Sequence, residues 1–213
     1  MSRIVVAGLI IISPLFTSGA GAWFGATPFL HAATLQKQNK EQKPKLKPGP
    51  TPRGVSMAKE QAMIAEQVRH RLVMLPYYDV FDWLEGEVRP DLTVVLRGEV
   101  VRPTTKSGAE KRTRDIESVT GVVNQIEVLP VSPNDDRLRI ALYRAIYNWD
   151  SPLFRYATRA VSPIHIIVKN GRATLKGVVA TPMDSQLAYT AARNVPGLFE
   201  VKNELQVEAS TSP

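Results

Sequence analysis

The sequence predicts an α+β protein built from two tandem small modules, each a helix-strand-strand-helix-strand unit with two helices on one face of a three-stranded mixed sheet. Three observations predict it: an internal repeat at a constant offset, period-two apolar alternation at matching places in both copies, and a helix-sized interval between those places. Laid on itself at an offset of 79 residues, the chain aligns Val94-Val95-Leu96-Arg97-Gly98-Glu99-Val100 with Ala173-Thr174-Leu175-Lys176-Gly177-Val178-Val179. The same offset aligns Pro103 with Pro182, and Val122-Val123-Asn124-Gln125-Ile126-Glu127-Val128 with Val201-Lys202-Asn203-Glu204-Leu205-Gln206-Val207.

In the second copy, residues 134–208, Asp135 and Asp136 sit where a first helical turn favours acids. Leu138, Ala141, Leu142, Ala145, Ile146 and Trp149 then recur at helical spacing. Ile164, Ile166 and Val168 alternate, Asn170-Gly171 is the favoured two-residue hairpin turn, and Thr174 to Val179 return as the second strand. Thr181 as N-cap with Pro182 behind it starts the second helix, carried by Leu187, Ala188, Ala191 and Val195 and stopped by Gly197. Val201 to Val207 is the third strand. In the first copy, residues 56–131, the helix is expected over Met57–Leu75 and strands near Val80–Val88 and Leu92–Val101. Ser107-Gly108-Ala109-Glu110 resembles a capping box for the next helix. Asp91-Leu92 stands where copy two has Asn-Gly, and Ser118 where it has Gly197, so these turns are expected to be looser or longer.

The start of the chain differs in kind. Arg3 precedes an apolar run, Ile4 to Ile12 extended through Leu15 and Phe16, followed by Ala20-Gly21-Ala22. That pattern predicts a secretory presequence of residues 1–22, with cleavage as far on as 33 or an uncleaved anchor reaching Leu30 as alternatives. A helix over Ile4–Phe16 is roughly 20 Å long, short of the ~30 Å hydrocarbon core. Residues 34–55 then carry Lys37, Lys40, Lys43, Lys45, Lys47 and Arg53 against Glu41 alone, broken by Pro44, Pro48, Pro50 and Pro52. They read as a disordered basic arm that supplies most of the formal charge of +7.

Composition narrows the chemistry. The absence of cysteine excludes disulfides, thiolate metal sites, a cysteine nucleophile and a lipidated cysteine. His31, His70 and His165 lack the spacing of a metal pair; His165 alternates away from its strand's apolar face and His70 lies on a polar helical position, so both are expected at the surface. Asp82, Glu85 and Glu87 cluster like a carboxylate pair without further partners, and Ser56-Met57-Ala58-Lys59 mimics a Ser-x-x-Lys nucleophile where a helix cap suffices. No reaction, cofactor or small-molecule substrate is expected. RNA-binding modules fail on residues, since no Gly-x-x-Gly clamp occurs and Glu99 and Val178 follow Gly98 and Gly177 where an aromatic residue would be needed for stacking.

The glycine strand Asn170 to Val179, the turn Val195-Pro196-Gly197-Leu198 and the strand Val201 to Val207 resemble the BON domain, with Leu96 to Val100 and Val122 to Val128 as the weaker copy. The chain resembles a tandem pair with an export signal, as in osmotically inducible periplasmic proteins. The resemblance implies a non-enzymatic envelope module that attaches to phospholipid surfaces or envelope proteins under osmotic or envelope stress. Its best-known membrane-associated members are lipoproteins, from which this cysteine-free chain departs. Gly98 and Gly177 read physically as strand positions with no side chain, where a bulge or a helix backbone approaches closely, and Asn124 and Asn203 as amides turned to a neighbouring backbone.

The candidate binding surface is the first helix of copy two. Ile140, Tyr143 and Tyr147 form a second apolar stripe opposite its core face, flanked by Arg137, Arg139 and Arg144. Packing against the first module, an envelope protein or an anionic phospholipid surface would each use it. Copy two nets +3 and copy one −2, so a negative membrane would prefer copy two. The chain is thus expected in the periplasm, free or anchored to the inner membrane. The alternative is a soluble periplasmic scaffold or chaperone-like stress protein that touches no lipid; nucleic acid is not an expected partner, and oligomeric state stays open.

Overall fold

The computed structural model describes residues 2–5 and 53–208. The chain runs β1 (Ser2–Val5), α1 (Arg53–Val73), β2 (Trp83–Val88), β3 (Thr93–Val100), α2 (Pro103–Arg114) and β4 (Gly121–Val128), then α3 (Pro133–Ile146), α4 (Phe154–Ala157), β5 (Ile164–Lys169), β6 (Arg172–Val179), α5 (Pro182–Arg193) and β7 (Glu200–Val207). β5 and β6 form an antiparallel hairpin, and β7 returns parallel to β6 after the α5 crossover. β2, β3 and β4 repeat that arrangement. The duplicated α+β architecture is therefore present. Core one gathers Ile64, Val68, Leu72, Leu84, Leu96 and Ile126; core two gathers Leu138, Leu142, Ile146, Ile166, Leu175 and Ala188.

Sheet one differs from expectation in having four strands, because Ser2–Val5 pairs antiparallel along the outer edge of β2. Ile4 and Val5 are thus strand rather than the start of a presequence helix: the unpaired backbone of β2 offers hydrogen bonds, and β-branched residues suit a pleated edge. The remainder of the presequence and the arm with Lys37, Lys40, Lys43, Lys45 and Lys47 lie outside the described residues. Arg53, assigned to that arm, instead opens α1, four residues before the expected start. Ser56 is then inside the helix and not its cap.

The repeat located α2 better than local capping chemistry did. α2 begins at Pro103, the partner of Pro182, so Ser107 is interior and its hydroxyl donates to the Thr104 carbonyl. In copy two, Thr181 and Asp184 form the reciprocal capping box at the start of α5. The hairpins differ as anticipated. Asn170 (φ 52°) and Gly171 (φ 73°) make a two-residue turn. Copy one uses a three-residue loop in which the Leu92 amide donates to the Arg89 carbonyl and Leu92 itself takes φ 62°.

Candidate functional site

The glycines of the central strands show how closely the copies agree. Gly98 and Gly177 both adopt φ 128°, and a Cβ at either would lie 1.9 Å from the Trp83 carbonyl oxygen or 2.0 Å from that of Pro163. The close approach is present, but it comes from the hairpin partner and not from a helix: Trp83 lies in β2, and Pro163 directly precedes β5. Asn124 Nδ2 donates to the Lys106 carbonyl at 3.1 Å and its Oδ1 accepts from the Ile126 amide; Asn203 does the same with Ser185 and Leu205. Each asparagine ties its third strand to the preceding helix. Gly197 (φ 93°) turns the chain after α5, a geometry that Ser118 (φ 72°) takes in copy one. All five family positions thus carry backbone geometry.

α3 is positioned at both ends. Ser132 Oγ accepts from the Asp135 amide, and Pro133 fills the first turn. The Asp135 carboxylate points away from its own helix and accepts from the Asn170 and Gly171 amides, each at 2.8 Å, which clamps the hairpin tip to the helix start. Sequence reasoning gave this aspartate only a helix-dipole role. Leu138, Leu142 and Ile146 then fill core two.

The expected outward stripe of α3 divides. Tyr147 is buried, and its hydroxyl donates to the Ile164 carbonyl at 2.7 Å and bonds Ser162. Burial raises its pKa above the ordinary phenol value. Arg139 is buried as well, donating to the Val168 carbonyl at 2.8 Å and pairing with Asp136. Both leave the candidate surface, because α3 turns that flank toward β5, Tyr147 at its start and Arg139 near its end. Tyr143, 38% exposed, packs edge-on against Phe81 of the first module. Arg137, Ile140 and Arg144 remain exposed. Trp149 lies past the end of α3 and is 78% exposed instead of in the core; Phe154 on α4 is 43% exposed. Exposed on α3 are therefore Arg137, Ile140, Tyr143 and Arg144, with Trp149 and Phe154 exposed farther along the chain.

Each sheet has a second face, turned away from its helices. In the structure the two modules present these faces to each other. Trp83, Leu129 and Ile167 form a small third core, with Val101 packed on it. Around it Lys176 Nζ meets Glu99 at 3.1 Å and Lys169 Nζ meets Glu127 at 2.5 Å. The Ile166 amide donates to the Val80 carbonyl at 2.8 Å, so the strand expected at Val80 breaks and its backbone borders β5 instead. His165 does alternate away from core two, but that face is covered, and it is 1% exposed between the Tyr78 and Trp83 rings. His70 is at the surface, as expected.

The acidic cluster is dispersed among separate partners. Glu85 accepts from Trp83 Nε1, Glu87 from Arg97, and Asp82 from the Val101 amide at 2.7 Å. Burial pushes the Asp82 carboxyl up to about 6. Among the described residues no group of three metal-ligating side chains converges, and no helix is long and apolar enough to cross a membrane.

The BON domain family model matches residues 61–130 and 152–209, one stretch in each module. No curated protein matches the chain. Among solved structures, it is similar to CdsD, a structural protein of the type III secretion system of Chlamydia trachomatis. The identity is 11% over 68% of this chain and 92% of that one, with a TM-score of 0.27. The C-terminal domain of CdsD gives 11% identity over 67% of this chain and 96% of that one, with a TM-score of 0.26. Likeness this distant transfers nothing about function.

Proposed function

This chain belongs to the BON domain family, and from that premise we propose that it is an exported cell-envelope binding protein whose second module docks on anionic phospholipid surfaces. The observation that supports this reading most is the exposed patch on α3 and the segment after it. Ile140, Trp149 and Phe154 stay open to solvent although both sheet faces are covered, and Arg137 and Arg144 lie beside Ile140 on the helix. Aromatic and aliphatic side chains next to arginines suit the boundary between head groups and acyl chains, where the rings enter the interface and the guanidinium groups stay with phosphate. The basic residues from Lys37 to Arg53 add attraction of at most ~1 kcal/mol each, reduced by salt. The proposed place is the periplasm, and the proposed activity is attachment without a chemical step.

A second reading has the same patch recognise an envelope protein, with the arm serving only as a tether. Tyr143 on Phe81 favours it, because part of the stripe already packs protein against protein. Flotation of the full chain with vesicles of phosphatidylglycerol or of phosphatidylcholine, at low and high salt, separates the two. Co-flotation with the anionic vesicles that weakens in salt and is lost in Trp149→Ser/Ile140→Ser supports lipid docking. Absence of flotation, or flotation indifferent to lipid charge, contradicts it.

A further inference from the structure

We propose that His165 makes the joint between the two modules acid-sensitive: protonation of its ring opens the joint and uncovers the apolar strip formed by Trp83, Leu129 and Ile167.

The geometry carries it. His165 sits on β5 at 1% exposure, with its ring 5.5 Å from that of Tyr78 and 5.3 Å from that of Trp83. Neither ring nitrogen has a hydrogen-bond partner. A neutral imidazole tolerates such a place as a flat aromatic filler, whereas an imidazolium requires two acceptors or water. Its partner across the hairpin is Lys176, so a proton on the ring would set a second cation beside an ammonium already committed to Glu99. Burial accordingly lowers its pKa to about 4, outweighing the help from the nearby Asp82, Asp79 and Ser162 backbone and the Asp79 charge.

The groups facing the ring come from every element around it. β6 contributes Lys176, and β3 contributes Glu99 through it. The segment before β2 supplies Tyr78, Asp79 and Asp82, and β2 itself Trp83, whose indole N–H is taken by Glu85. Asp82 shifts in the opposite sense, but its hydrogen bonds, to the Val101 and Asp79 amides, lie wholly within module one and survive separation. Tyr147 is held inside module two. His165 is thus the group here that gains a hydration shell when the faces part. The sign follows: a histidine whose pKa is lower in the joined form stabilises the joint above its free value of 6.5, and that contribution fades as pH falls toward about 4. Between pH 8 and pH 5 the ratio of open to closed forms should rise about thirtyfold.

Spin labels at Ser107→Cys on α2 and Gln186→Cys on α5 in the full chain, which has no cysteine of its own, report the separation of the modules. One short distance distribution is expected at pH 8, with a longer population growing at pH 5 and reversing on neutralisation. His165→Phe should abolish the long population while keeping the fold at both pH values, and Asp82→Asn should leave it in place. The His165 ring resonance should titrate well below the free imidazole value of 6.5. An unchanged distance at pH 5, equal opening in His165→Phe, or loss of the response in Asp82→Asn would each overturn the proposal.

Discussion

The two modules have the same backbone and different means of holding it. At the hairpin, copy two uses Gly171 at φ 73°, whereas copy one forces Leu92 to φ 62°, with the Asp91 carboxylate accepting from the Thr93 amide and hydroxyl to hold the loop. After β3 the Val101 amide is taken by Asp82; at the same place after β6 the Ala180 amide is taken by the Tyr156 hydroxyl, supplied by the short helix α4 that copy one lacks. Tyr156 also donates to Asp184, the residue that closes the α5 capping box. Geometry that two sequences satisfy by different side chains belongs to the fold, and what they satisfy identically marks the least replaceable positions. Gly98 and Gly177 are the clearest of these.

Those glycines are the positions most sensitive to substitution. Gly98→Ala and Gly177→Ala should each cost more than about 4 kcal/mol in denaturant unfolding, because a methyl group would overlap a backbone carbonyl and the φ is disfavoured for any side chain. Loss of one module's transition with the other retained would sharpen the picture of two cores; a cost under about 1 kcal/mol would contradict the close approach. Next is Asp82, which has Ser162 as its counterpart one residue before the approaching carbonyl. Its carboxyl has a folded pKa raised to about 6, so its contribution is fully present below its unfolded value of 3.8 and is lost as pH rises through 6. Asp82→Asn should therefore stabilise the chain by up to ~3 kcal/mol at pH 7.5 and by nothing near pH 3.5, read from thermal melts at the two pH values.

Asp135→Ala removes the acceptor for two hairpin amides and should cost about 2 kcal/mol, with faster hydrogen exchange at Asn170 and Gly171 and no change at the copy-one hairpin. Leu92→Gly is the smallest and has the opposite sign. It relieves a positive φ and should stabilise by about 1 kcal/mol. A destabilisation would mean that the apolar contact of Leu92 with core one outweighs the strain.

Much of this was legible in the sequence. Period-two alternation fixes strand faces, and a constant offset let the readable copy, with its Asn170-Gly171 turn and Thr181-Pro182 start, locate elements in the other. The repeat outperformed a local motif at Ser107, because a capping box is four residues of weak preference while α2 is set by where β3 must cross to β4. The illegible parts are tertiary. Alternation says that His165 leaves core two and cannot say that a second sheet covers that side. Helical projection places Tyr147 and Arg139 opposite the core only while the helix is taken alone; the Ile164 and Val168 carbonyls that bind them come from β5. Trp149 continued the period of α3 on paper, but the helix ends at Ile146.

The joint is what turns two copies into one body, and zero-length carbodiimide coupling of the full chain at pH 7 tests it most directly, since it links an amine to a carboxylate only in contact. Peptide mapping should recover Lys176 joined to Glu99 and Lys169 joined to Glu127 as abundantly as Lys202 joined to Glu204 within β7. Recovery of the Lys202 link without either inter-module link would show that the sheet faces do not meet.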